Sequence, residues 1–124
     1  MSSSDDQTPT GPMLAVAHAF DVEAVKERLS ESGGYEVVHS SPGLELGVYV
    51  LVAPEPDRQQ PHEDDEVYIV LEGYGRLEVD GEQSDLREGD AVFVPAGADH
   101  RFTGYEHLSV LVVFDRPKAG ASAP

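Results

Sequence analysis

Cysteine is absent from the 124-residue chain. Disulfides, thiolate metal ligands and cysteine nucleophiles are thereby excluded, so a metal site would have to be built from imidazole, carboxylate and amide oxygen. Basic residues are scarce: 8 Lys and Arg stand against 24 Asp and Glu, a formal net charge of −16. A surface of that sign repels phosphate backbones and anionic headgroups, which argues against nucleic acid and membrane as partners. Long apolar runs are missing too. The most apolar late segment, Leu108 to Phe114, falls far short of the ~20 residues that span a bilayer. The stretch from Met1 to Pro12 has no basic n-region, and Met13 to Ala17 is too short for a signal core. A cytoplasmic location is the expectation.

What is present fits one compact domain, with 40% hydrophobic content and little room for a second core. Residues 1–12 and 116–124 are dominated by small, polar and Pro residues, so both are expected to be disordered tails around a domain spanning 13–115. Val22, Val25 and Leu29 recur at helical spacing, Asp21 is placed as an N-cap, and Gly33-Gly34 stop the pattern. One short helix is expected between Asp21 and Ser30. From Tyr35 the period changes to two. In Leu44–Ala53 the even positions from Leu44 to Val52 are all apolar, while the odd ones mix Glu45, Gly47, Tyr49, Leu51 and Ala53, which predicts one firmly buried face. Glu66–Glu72 and Gly75–Val79 read as strands on either side of Gly73-Tyr74-Gly75, and Asp80-Gly81 supplies the positive φ of a tight hairpin. Further strands are expected at Ala91–Val94, His100–Thr103 and Leu108–Asp115. Seven or eight short strands after one helix, without helical spacers, predict an all-β antiparallel sandwich or barrel.

His62 and Glu66 lie just ahead of an apolar strand, and His100 follows the turn Pro95-Ala96-Gly97. Two imidazoles and one carboxylate, with coordination positions left over, form the facial triad of mononuclear non-haem iron sites and also suit zinc, manganese or nickel. Gln60 and His62 share a face if their segment is extended, and Pro61 biases Gln60 that way. A turn at Glu63-Asp64-Asp65 would bring Glu66 back beside His62, with Asp64 and Asp65 as solvated turn residues. Tyr68 and Val70 share the face of Glu66, and Val67, Ile69 and Leu71 take the other, so this strand is expected to be covered on both sides. An unpaired carboxylate there costs several kcal/mol, and a metal ion is its most effective partner. His18, His39 and His107 are read as structural or surface groups.

At these residues the chain resembles the cupin superfamily. The family's first motif, Gly-x5-His-x-His-x3,4-Glu-x6-Gly, is matched by His62, Glu66 and Gly73. Its second, Gly-x5-Pro-x-Gly-x2-His-x3-Asn, is matched by Gly89, Pro95, Gly97 and His100. The resemblance covers roughly residues 43–115. It implies an antiparallel double-stranded β-helix, or jelly-roll barrel, with one short N-terminal helix, a homodimer, and a small-molecule ligand or substrate. Cupins usually hold metal through three histidines and a glutamate. Carried over by position, the ligand set here is Gln60, His62, Glu66 and His100, with Gln60 in place of the first histidine and Gly104 in place of the closing Asn, a residue absent from the whole chain. The resemblance therefore implies one divalent ion (Fe, Mn, Ni or Zn) held by three firm donors and one soft one. The leading expectation is a metal-dependent enzyme acting on a small organic substrate, either dioxygenase-like or a Lewis-acid isomerase, cyclase or lyase, with Tyr68 as proton donor or orienter. A non-catalytic small-molecule-binding module and a metal-free scaffold are the alternatives.

Overall fold

The computed structural model describes residues 17–59 and 61–116. Gln60, the N-terminal tail and residues 117–124 lie outside them. Helix α1 (Val22–Arg28) begins where Asp21 Oδ1 accepts the Ala24 N–H at 3.0 Å, the capping expected of Asp. It ends as Gly33, at φ 80°, donates its N–H to the Leu29 carbonyl at 2.8 Å. Val25 is buried against Val48 and Val50, with Val22, Leu29, Leu71 and Leu111 around them. The apolar even face of the second strand is therefore the one that lies under the helix.

Among the described residues seven antiparallel strands follow: β1 (Gly34–Ser41), β2 (Leu44–Val52), β3 (Asp65–Val79), β4 (Glu82–Arg87), β5 (Ala91–Val94), β6 (His100–Thr103) and β7 (His107–Asp115). β1 pairs β2, β2 pairs β7, and β7 pairs the first half of β3, whose other edge takes β5. The second half of β3 lies between β4 and β6. The expected break at Gly73 is thus absent, and one 15-residue strand belongs to both sheets. Gly73 bends it instead. The register against β7 shifts between Val70 and Glu72, and Gly73 sits at φ 88°, the signature of a bulge. A Cβ there would run into the His107 carbonyl oxygen. Gly73→Ala is accordingly expected to cost about 2–3 kcal/mol from strain and overlap, read as a lower urea midpoint at unchanged m-value.

Inside the barrel, Tyr68, Val70, Leu77, Phe102, Leu108, Val110 and Val112 form one buried cluster. The hairpin β3–β4 turns on Asp80 at φ 49° and Gly81 at φ 90°, the left-handed pair that Asp-Gly supplies in a two-residue turn. Arg116, assigned from sequence to the C-terminal tail, donates its N–H to the Gly43 carbonyl at 3.0 Å.

Candidate metal centre

Glu66 lies near the start of β3, opposite Val94 of β5 and Phe114 of β7, so strands cover both of its edges. His100 opens β6 opposite Val79. His62 stands in the loop before β3. Two hydrogen bonds clip the matched motifs together: the His62 carbonyl accepts the Gly97 N–H at 2.7 Å, and Asp65 Oδ1 accepts the Ala96 N–H at 2.8 Å. Asp65 is therefore a clamp on the Pro95–Gly97 turn, not the solvated turn residue expected from its position.

These elements bring one ligand atom each of His62, Glu66 and His100 within 4.8 Å of one another. Two donors each ~2.1 Å from a common ion stand at most ~4.2 Å apart, so small side-chain shifts would let all three reach one ion. Glu66 is 2% exposed and His100 4%. The half-buried His62 ring meets Phe114 edge-on, with centroids 5.0 Å apart.

His100 Nδ1 lies 2.9 Å from the Ala98 carbonyl oxygen. A carbonyl only accepts, so Nδ1 carries a proton and Nε2 of the neutral ring is left with its lone pair. That nitrogen is 3.1 Å from Glu66 Oε1 with no proton of its own to donate, and neither it nor Glu66 Oε2 has a hydrogen-bond partner among the described residues. Facing lone pairs at full burial need a positive charge between them. A proton on Nε2 is one such charge. Burial opposes the imidazolium, but the contact with Glu66, the Ala98 carbonyl and the Glu66 charge outweigh it and hold the His100 pKa above its ordinary value. A divalent ion fits the same place, with the Nδ1–H contact fixing the tautomer and ring as it does for histidine ligands.

The cluster opens on a cavity of about 390 Å³. Its walls include residues that strand parity hides. Tyr35, Glu45 and Tyr49 line it, so the mixed odd face of β2 points inward; that mixture of acid, glycine and aromatic is the signal available in the sequence. Tyr35 lies across Gly47, where any Cβ would overlap its ring. Glu45 accepts from Tyr35 OH at 2.8 Å and from Arg116 Nη1 at 2.7 Å. Asp64, in the bend before β3, also lines the cavity. Tyr68 lines it as well, while Phe102 belongs to the core beneath, edge-on to Tyr68 at 4.8 Å. Gln60 is outside the described residues.

Asp57, in the loop after β2, was not foreseen. It is 6% exposed and accepts four hydrogen bonds: from Tyr49 OH at 2.7 Å, Gln59 N at 3.2 Å, Gln59 Nε2 at 2.6 Å and the Phe102 N–H at 2.8 Å. Tyr68 OH donates to Gln59 Oε1 at 3.0 Å. Burial first, and the nearby carboxylate second, push the Tyr35, Tyr49 and Tyr68 phenols well above their usual range. His18 and His39 stand apart from the site, packed with Phe20.

Fold and site together define a small antiparallel β-barrel with a largely buried His/Glu cluster opening on a cavity. The chain belongs to the cupin family: the Cupin domain family matches residues 48–114. It is similar to the uncharacterized protein SCO3923 of Streptomyces coelicolor, 38% identical over 103 residues that cover 82% of this chain and 98% of that one. Acireductone dioxygenase of Leishmania major is 40% identical over 75 residues, 56% of this chain but only 22% of that protein. Among solved structures, an RmlC-like cupin with a double-stranded β-helix fold from Methanocaldococcus jannaschii superposes with a TM-score of 0.66 at 18% identity, over 85% of this chain and 94% of that one. The double-stranded β-helix and short helix expected from sequence are thus the observed fold. Among the described residues no helix is long and apolar enough to cross a membrane.

Proposed function

We propose that this cupin is a metal-dependent enzyme acting on a small organic substrate, with His62, Glu66 and His100 as the firm ligands of one divalent ion and Gln60 as the weak fourth. The observation that carries the reading is the pair of buried ligand atoms without a hydrogen-bond partner, His100 Nε2 and Glu66 Oε2, gathered with His62 beside a cavity that His62 and Glu66 line. When bound, the ion supplies Lewis-acid polarisation of a substrate oxygen or, if redox-active, activation of dioxygen. Dioxygenase chemistry stands ahead of isomerase or cyclase chemistry because two imidazoles and one carboxylate leave open positions, and because of the likeness to a segment of acireductone dioxygenase. Tyr68 acts as an orienter at the cavity wall, its proton being given to Gln59. Edge strand β1, with Val37 46% exposed, supports a homodimer.

Elemental analysis of protein purified without chelator is expected to find close to one transition ion per chain. Fe(II), Mn(II), Ni(II) and Zn(II), loaded separately, are then assayed in air for dioxygen uptake and product with small enediols, an acireductone included. An ion stoichiometry near zero that added metal does not raise would overturn the reading. A non-catalytic binding module is favoured by one observation: the Tyr35, Tyr49 and Tyr68 protons are all engaged by protein acceptors, leaving no phenol to act as a ready acid. Saturable binding without turnover under any ion would select it.

A further inference from the structure

We propose that the cavity selects a ligand carrying an O–H or N–H donor next to its metal-coordinating oxygen, and rejects the alkylated counterpart. This rests on the metal-dependent reading above and names the substrate class of the same site.

The inference follows from which way the hydroxyl protons point. The Asp57 carboxylate can only accept, so the Gln59 side chain must turn its NH₂ toward Asp57 Oδ2, 2.6 Å away, and its oxygen the other way. That oxygen can only accept as well, which obliges Tyr68 to donate across the 3.0 Å contact. Glu66 is the rival acceptor for the Tyr68 proton, close enough to act on the phenol both by charge and as a hydrogen-bond partner; with that carboxylate committed to an ion, Gln59 remains. Tyr49 gives its proton to Asp57 and Tyr35 to Glu45. Each hydroxyl on the wall therefore turns lone pairs, not hydrogen, to a ligand. Glu45 and Asp64 add further acceptors at the wall, and Arg116, its Nη1 2.7 Å from Glu45, keeps further N–H donors beside them that suit a carboxylate. The hydroxyl side of the wall is satisfied by a donor-bearing ligand and leaves acceptor-only ligands facing lone pairs there, which costs the hydrogen bonds that water made.

Asp57 is on this account a positioning residue, acting on the ligand through Gln59 and Tyr68. It also accepts from the N–H of Phe102, two residues beyond His100, and so ties the metal-bearing strand to the same wall.

The test uses the full chain loaded with Co(II), whose visible absorption reports changes in coordination, titrated with mandelate and with its O-methyl ether. Both present a carboxylate and an α-oxygen to the ion; only mandelate carries the adjacent O–H. Mandelate is expected to bind about tenfold tighter, the loss of one hydrogen bond to a fixed acceptor. A merely steric effect of the methyl group would persist in Tyr68→Phe, which keeps the ring and removes the acceptor; the preference is expected to fall to about twofold or less there. Gln59→Met provides a second variant: it frees the Tyr68 proton to turn inward and is expected to narrow or reverse the preference. Equal affinities, a preference for the ether, no binding of either probe with Co(II) in place, or a preference unchanged in both variants would overturn the inference. Failure of Co(II) to bind at all overturns instead the metal-dependent reading beneath it.

Discussion

Glu66→Ala and His100→Ala are each expected to weaken metal binding by more than about 100-fold, and His62→Ala by a smaller factor. Glu66 and His100 are almost wholly buried with their donor atoms 3.1 Å apart, so neither neighbouring side chains nor solvent can replace a lost ligand. His62 stands on a loop and is half-buried, where water reaches a vacated position. Losing one of three firm ligands exceeds the 10–100-fold cost typical of removing a residue that only supports a ligand. Stability gives a second readout of the same loss. An ion present at 100 times its Kd stabilises the wild type by about 2.7 kcal/mol, and a 100-fold weaker site at the same concentration gains only about 0.4 kcal/mol. Isothermal titration and the ion-dependent rise in Tm should therefore fall together in the two buried-site variants. His107→Ala, remote from the cluster, is expected to change neither. Unchanged titration curves for Glu66→Ala and His100→Ala would place the ion elsewhere.

The meeting of His62, Glu66 and His100 was legible because a metal site demands short, fixed spacings. Glu66 follows His62 by one turn, and His100 follows the Pro95–Gly97 turn that hydrogen-bonds back to His62, so a local motif encodes a long-range meeting. The helix start at Asp21 and the turn at Asp80-Gly81 were legible for a similar reason, each being a local hydrogen-bond or φ requirement. Gly73 misled because positive φ serves a turn and a bulge equally; only the partner strand, with its His107 carbonyl pressed against the glycine, distinguishes them. Alternation in β2 revealed that Val48 and Val50 are buried but not by what, and the helix claimed that face while Glu45 and Tyr49 turned to the cavity. Asp57 was invisible. Its loop has no periodicity, and its bond to the Phe102 N–H joins positions 45 residues apart.

Proton and metal compete for one place between His100 and Glu66, and the two forms of the protein are therefore expected to respond to pH in opposite directions. In the metal-free chain the His100 pKa is raised above its unfolded value of roughly 6.5: burial works against the charge, and Glu66 with the Ala98 carbonyl overcomes it. A group whose native pKa is raised contributes stability that is fully present below its unfolded pKa and is lost as pH climbs through the native one. Metal-free protein should accordingly lose stability from about pH 6.5 upward, a range in which surface carboxylates are already ionised and add little slope of their own. Metal binding must first expel that proton, so ion affinity should rise over the same interval and level off above the native His100 pKa. Urea midpoints taken at several pH values with chelator, and again with saturating Zn(II), should diverge as pH increases. His100→Gln removes the titrating ring, and its metal-free stability should be flatter over that range than the wild type's. Parallel slopes for wild type and His100→Gln would show that the buried pair does not take up a proton, and the account of a cation-demanding site between Nε2 and the carboxylate would then fail.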